Sequence, residues 1–245
     1  MNERDYHDLH YAAEARIFAS PIFGRVHDRS AADFLRLTGA GSAQRLLSLG
    51  CGDGALERRL APHLGEIVAL DISAVAIAQA AGRCAAPNVS FRVWQPEAEP
   101  LERLGAFDVV AAFAFLHHLD DGAIRAMLGT ARRVLRPGGV FYSSDPSRRR
   151  LVGLFRGLVR GAYERHHSPD ERELDPETLA ALAVDAGFSR PAIGYSDYFL
   201  GPLAWLAPGT PGWLAGGLEA LDNFARGVPL VRRYASSFSL LARAD

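Results

Sequence analysis

The chain has no lysine: all 27 of its basic residues are arginine. A substrate Schiff base, a lysine general base and a phosphate-binding P-loop each need an ammonium group. Pyridoxal enzymes, Schiff-base aldolases and P-loop kinases are therefore excluded. Cysteine is scarce as well, with only Cys51 and Cys84 in 245 residues. The two stand in no metal-ligand spacing and fit a reducing compartment, the cytoplasm, better than a disulfide framework. Net charge is −1, which leaves no basic footprint for nucleic acid. An uncharged window spans residues 198–218, but Pro202, Pro208, Pro211 and five glycines interrupt it, so a membrane-spanning helix is not expected there. The first residues are charged and show no apolar signal core. What the chain does have is 49% apolar residues, enough to bury the core of one larger α/β domain.

One stretch organises the rest. Arg45-Leu46-Leu47-Ser48-Leu49 reads as a buried strand, Gly50-Cys51-Gly52-Asp53-Gly54 as a tight turn, and Ala55-Leu56-Glu57-Arg58-Arg59-Leu60 as the start of a helix. Glycines in such a turn let the backbone take positive φ and approach a ligand closely. A second strand, 66–70, then ends in Asp71, 17 residues after Gly54. An acid at that strand tip, about 20 residues past a glycine turn, can bind both hydroxyls of a ribose.

The turn is G-x-G-x-G with Asp53 inside it, not the dinucleotide pattern G-x-G-x-x-G. A carboxylate there opposes a pyrophosphate and suits a ligand carrying an ammonium or sulfonium. Here the sequence resembles the class I S-adenosylmethionine (SAM)-dependent methyltransferases. Leu49-Gly50-Cys51-Gly52-Asp53-Gly54 matches their first motif and Asp71 their ribose-binding acid. The resemblance implies an α/β fold with a Rossmann-like, seven-stranded, mostly parallel sheet of order 3-2-1-4-5-7-6, strand 7 antiparallel. It implies SAM as cofactor, S-adenosylhomocysteine (SAH) as product, and a cofactor edge made by Gly50, Cys51, Gly52, Asp71, Ile72, Trp94, Gln95 and Phe113.

The rest of the chain falls in order. Short helices are expected over 8–18 and 28–37, a helix capped by Ser73 runs to residue 84, and a third strand covers 88–94. Gln95-Pro96-Glu97 follows, where the family often has Gly-Asp-Ala with the Asp on the adenine amino group. Gln95 would offer an amide instead, and Trp94 either a stacking face or a buried edge. The fourth strand, 107–113, is almost wholly apolar, as a central parallel strand should be. It leads into Ala114-Phe115-Leu116-His117-His118-Leu119-Asp120, which resembles the family's fourth motif. A helix to residue 135, the Leu-Arg-Pro-Gly-Gly turn at 135–139, a strand at 140–145, a helix at 175–186 and strands at 191–197 and 236–243 complete the frame. The whole reads as one domain, 1–245: an N-terminal helical cap (1–44), a SAM-binding core (45–145), and two helical inserts (146–172 and 198–233) expected to cover the acceptor. In the second insert Thr210 is expected to cap a helix whose apolar face is Trp213, Leu214, Gly217, Leu218, Leu221, Phe224 and Ala225. The charge run Pro169-Asp170-Glu171-Arg172-Glu173 reads as solvated surface.

Methyl transfer from a sulfonium needs mainly proximity and orientation, worth roughly 7–11 kcal/mol. A hydroxyl acceptor also needs a base near the working pH, for which histidine is suited. His118, at the place where the family most often retains a histidine, is the first choice; Glu164 with His166 or His167 is the second, and His117 and His10 stand as further candidates. No metal is expected, because His166-His167 lacks a spaced carboxylate set. The expected partner is a small organic acceptor methylated on oxygen, with apolar, lipid-linked or phosphorylated acceptors and a peripheral membrane contact among the options. Carbon or nitrogen methylation, a SAM-binding subunit without catalysis, and a nicotinamide-dependent oxidoreductase stay open. The sequence leaves the oligomeric state undetermined.

Overall fold

Seven strands form one sheet: β1 (Arg45–Leu49), β2 (Glu66–Asp71), β3 (Val89–Val93), β4 (Phe107–Phe113), β5 (Leu135–Pro146), β6 (Ser189–Ser196) and β7 (Ser237–Ala244). Their order is β3-β2-β1-β4-β5-β7-β6. The first five pair in parallel, and β7 runs antiparallel to both β5 and β6. This is the order and direction that the sequence implied. The computed structural model describes residues 7–9, 11, 17–96, 99–150 and 171–245.

The sheet is covered on both faces, which is why β1 and β4 are mostly apolar, with Arg45, Ser48 and Asp108 the exceptions. On one face Leu47, Val110, Phe141 and Leu240 pack under α4 (Asp121–Val134) and α5 (Pro176–Asp185). On the other, Leu46, Ile67, Val109 and Tyr142 pack under Phe34 of α1 (Pro21–Thr38) and Leu60 of α2 (Ala55–Leu60). The helix α3 (Ala74–Arg83) starts on Ser73, whose hydroxyl accepts the Ala76 N–H as expected of a cap.

Four expectations need correction. The helix expected from residue 28 begins at Pro21 and runs to Thr38. Proline at the first position is already set at helical φ, so the helix starts about two turns earlier than expected. Thr210 does not cap α7 (Gly212–Gly227): its hydroxyl donates to Ala207 O at 2.6 Å, closing the preceding turn, and Pro211 occupies the cap position. The expected apolar face of α7 is buried only in part: Trp213 is 79% and Phe224 71% exposed, whereas Ala225 is buried and Leu218 packs on the Ile22 and Phe23 cluster. The buried side of the helix is turned away from Trp213, through Ala215, Asp222 and Ala225. Finally, the run at 169–173 is not simply solvated, because the side chains of Glu171 and Glu173 are only 11% and 12% exposed.

The second insert is fixed by a buried ion cluster. Arg29 of α1 donates from Nη1 to Asp222 Oδ2 at 2.8 Å and also faces Asp197. Asp222 in turn accepts the Phe199 N–H at 2.8 Å and the Leu200 N–H at 3.3 Å, so it caps α6 (Leu200–Leu206) from α7. Leu200, Ala204 and Ala215 then pack on Ile22 and Phe23, with Trp205 edge-on to Phe23 at 4.9 Å. Among the described residues no helix is long and apolar enough to cross a membrane. Most of the first insert, 151–170, lies outside the described residues.

Candidate active site

The loop after β1 needs glycine for two independent reasons. Gly50, Gly52 and Gly54 take φ of 68°, 54° and 72°, a region that side chains disfavour. A Cβ on Gly50 would also stand 2.5 Å from the Phe115 ring, and one on Gly54 2.9 Å from both Ala80 and Phe91. The loop is tied to the tip of β2: Cys51 N–H donates to Leu70 O at 3.0 Å and Gly52 N–H to Asp71 Oδ2 at 2.8 Å. Asp71 Oδ1 accepts the Ser73 N–H at 2.8 Å. Each carboxylate oxygen keeps a second lone pair, so Asp71 can still accept from two neighbouring hydroxyls. Burial pushes its pKa up, and the Ser73 and Gly52 N–H groups work against that.

Two acids lie around this loop. Asp53 is not aimed at a ligand, as the sequence suggested, because its carboxylate pairs with Arg83 and accepts the Ala55 N–H at 3.2 Å. Glu57, on the first turn of α2, is buried and accepts from the Ser48 hydroxyl at 2.6 Å. Burial raises its pKa to about 7, against the lowering effect of the Ser48 bond. Cys51 is a half-buried thiol whose pKa is raised by burial, then by Glu57 and Asp71, so it is a poor nucleophile.

The other expected cofactor contacts are spread along the sheet edge. Ile72 is half-buried next to Asp71, and Gln95 is exposed just beyond β3. Trp94 is a core residue, packed with Leu49, Leu70 and Leu101, and its ring N–H donates to Glu99 O at 2.7 Å. Phe113 is buried against Phe34 and Tyr142, both at 5.5 Å between ring centroids, on the α1 side of the sheet. Phe115, not singled out from sequence, is the aromatic that covers Gly50.

An N-terminal stretch crosses this edge. The Tyr11 ring lies where a Gly52 side chain would be. Burial, then Asp71, pushes the Tyr11 phenol well up, so it stays neutral. Asp8 accepts the Ser73 hydroxyl at 2.5 Å and the Val75 N–H at 3.2 Å at the start of α3. The His7 ring stands edge-on to His118 at 5.1 Å. The same short stretch therefore touches the glycine loop and the histidine loop.

The histidine loop follows β4. Ala114 turns the chain out of the strand at φ 47° and its N–H donates to Ser144 O at 2.7 Å. His117 and His118 then lie 4.1 Å apart between ring centroids. His117 is buried, and both its backbone N–H and its Nδ1 contact Asp145 Oδ1, at 3.2 and 3.3 Å. That carboxylate makes Nδ1 the protonated nitrogen and leaves Nε2 its lone pair. Nε2 faces Glu171 Oε2 at 4.0 Å. Glu171 is held in place by its neighbour, because Arg172 N–H donates to His117 O at 3.0 Å and the Arg172 side chain reaches Leu119 O and Asp121, both at 2.7 Å. The sequence reading missed Asp145 and Glu171, which no local pattern joins to the histidines. His10, Glu164, His166 and His167 lie outside the described residues.

Known proteins are similar to this chain over its core. Residues 46–139 match the family described as a methyltransferase domain. An uncharacterized 37.1 kDa protein in transposon TN4556 of Streptomyces fradiae is 34% identical over 155 residues, covering 60% of this chain and 44% of that one. The ubiquinone biosynthesis O-methyltransferase of Xanthomonas oryzae pv. oryzae is 32% identical over 153 residues, covering 58% of this chain and 61% of the relative. The match thus spans 44% to 61% of the length of these relatives. The fold is shared with magnesium protoporphyrin IX methyltransferase from Synechocystis PCC 6803, solved with bound SAH, at a TM-score of 0.62 and 16% identity over 99% of this chain and 98% of that one.

Proposed function

We propose that this chain, whose core is a class I SAM-dependent methyltransferase domain, transfers the methyl group of SAM to a hydroxyl of a small organic acceptor. The observation that carries this reading is the glycine loop hydrogen-bonded to a buried strand-tip acid through Gly52 and Asp71. SAM would lie along that edge, its ribose on Asp71 and its methionine end toward Phe115 and the histidine loop. The acceptor oxygen bonds to the methyl carbon as the C–S bond breaks. The C–S electron pair returns to sulfur, the sulfonium becomes the neutral thioether of SAH, and the hydroxyl proton passes to the His117–His118 pair or to solvent. The likeness to an O-methyltransferase over 153 residues supports oxygen over nitrogen or carbon. The free thiols of Cys51 and Cys84 support work in the cytoplasm.

The test is calorimetry of SAM and SAH binding, then transfer of isotopically labelled methyl to a panel of phenols and alcohols. Binding without any transfer would leave a SAM-binding subunit, and failure to bind either ligand would overturn the reading.

A second reading concerns where the acceptor sits. The exposed apolar face of α7, with Trp213, Leu221 and Phe224, and the exposed Leu230 support an acceptor carried at a membrane surface. Vesicle-borne acceptor should then be methylated faster than the same headgroup in solution. Equal rates would remove this reading.

A further inference from the structure

The His117, His118 and Glu171 side chains converge: one ligand atom from each lies within 4.8 Å of the others. They come from the loop after β4 and from the returning end of the first insert, so the cluster is tertiary, not a run of neighbours. We propose that these three residues form a binding site for a divalent first-row transition ion such as Zn2+. Donors around a tetrahedral Zn2+ at about 2.0–2.1 Å stand roughly 3.4 Å from one another. The 4.0 Å between His117 Nε2 and Glu171 Oε2 is therefore a short side-chain adjustment from a ligand spacing.

Three features make this more than a chance group. First, Asp145 contacts His117 Nδ1 and holds the ring so that the Nε2 lone pair faces Glu171. A carboxylate behind a ligating imidazole is the arrangement that fixes tautomer and orientation at metal sites. Second, the chain that follows Glu171 is tied down at two points: Arg172 N–H bonds His117 O at 3.0 Å, and Leu174 pairs with Pro146 and Arg148 through bonds of 3.1 and 2.9 Å. Third, among the described residues Asp145 Oδ2 is buried with no hydrogen-bond partner, so the carboxylate behind His117 is an unusual buried polar group that its own surroundings do not fully satisfy. Two imidazoles and one carboxylate suit Zn2+ and its neighbours, whereas Mg2+ demands oxygen ligands.

Three protein ligands would leave a position open, as in catalytic zinc sites. An acceptor hydroxyl entering it would lose its proton to solvent near neutral pH, as metal-bound water does. That role rests on the methyl-transfer reading; the site itself does not. In it the histidines act on the acceptor through the ion and do not take the proton themselves.

The experiment is a titration of the full, tag-free chain with Zn2+ by calorimetry, with no SAM or acceptor present, so its result is independent of the methyl-transfer reading. One ion per chain is expected, with affinity falling at least tenfold in Glu171→Gln and in His117→Ala. Asp145→Asn, which leaves all three ligands in place, should weaken binding 10- to 100-fold. Co2+ added to the wild-type protein should give the intense visible bands of a four- or five-coordinate ion, a readout that does not depend on any variant folding. Mg2+ should not compete. A wild-type chain that takes up no Zn2+, or a folded Glu171→Gln protein that binds it as tightly as wild type, overturns the proposal.

Discussion

The glycine loop and the histidine loop sit at the carboxyl ends of neighbouring strands, β1 and β4, yet they are built in opposite ways. The first is made of backbone: positive-φ glycines, N–H groups and a single acid, all within the stretch from Gly50 to Ser73. The second is made of side chains that the fold collects from β4, β5 and the end of the first insert, in His117, Asp145 and Glu171. Residues that recognise a cofactor through its shape can be encoded locally, because a turn conformation is a local property. Groups that must meet an acceptor depend on how distant segments pack, and vary independently of the turn. The two loops should therefore fail separately when mutated.

The largest effect expected from breaking one and sparing the other is His117→Ala. Turnover should fall about 10²- to 10⁴-fold, whether the imidazole serves as base or holds an ion. SAM affinity, measured by calorimetry on the same protein, should stay within a few-fold of wild type. A parallel loss of SAM binding would mean that the loops are one structural unit and that the comparison does not hold.

Next comes the charge stored beneath the glycine loop. Glu57 has a folded pKa of about 7 against an ordinary 4.5. Between those values the folded chain binds more protons than the unfolded one, so stability is lost as pH rises through the window. Above pH 7 the cost is about 3 kcal/mol at 1.36 kcal/mol per pH unit. Glu57→Gln keeps an acceptor for the Ser48 hydroxyl and removes the titration. Its unfolding free energy should exceed that of wild type by up to about 3 kcal/mol at pH 8 and match it near pH 4.5. Chemical denaturation at both pH values checks this, and identical pH profiles for the two proteins would show Glu57 to be ordinarily charged.

How much of this was legible follows the same division. The glycine loop, the place of Asp71 at a strand tip and the Ser73 cap were readable, because each rests on a φ requirement, a period or a capping rule; the strand order followed from the family resemblance. The start of α1 was misplaced because Ser20-Pro21 was passed over as a start signal. Asp53 was misread because a sequence shows that a carboxylate lies in a turn and not that Arg83 reaches it. Glu171 and Glu173 looked like solvent-facing charge, but pairing across the fold with His117 and Arg150 buries them. The Arg29–Asp222 bond that holds the second insert joins residues 193 positions apart, beyond any local pattern.

Asp71→Ala probes the cofactor side and should do the reverse of His117→Ala. It removes the proposed acceptor for ribose and also the anchor of the Gly52 and Ser73 N–H groups. The loss of charge-assisted bonds should weaken SAM by roughly 1.5–3 kcal/mol, about 10- to 150-fold. At saturating SAM, turnover should recover most of its wild-type value, which no His117 variant should do. Unchanged SAM affinity in a folded Asp71→Ala protein would remove the proposed ribose site.

The smallest effect should come from a region belonging to neither loop. Trp213 and Phe224 share one side of α7 with Leu221, and at 79% and 71% exposure they contribute little packing to the fold. Replacing either with Ser should change unfolding free energy by no more than about 0.5 kcal/mol, as for most surface positions. If these residues closed over an acceptor pocket, as the periodicity of α7 alone suggests, KM for a soluble acceptor would rise. The exposed geometry predicts no change in KM or kcat with a soluble acceptor, because both side chains stand mostly in solvent. With an acceptor embedded in vesicles the expectation differs: losing two aromatic anchors from an otherwise uncharged face should lower the rate, and the double variant should lose vesicle binding in flotation. A rise in soluble-acceptor KM at unchanged stability would place α7 over the pocket after all, making the acceptor side a third locus assembled only by tertiary contacts.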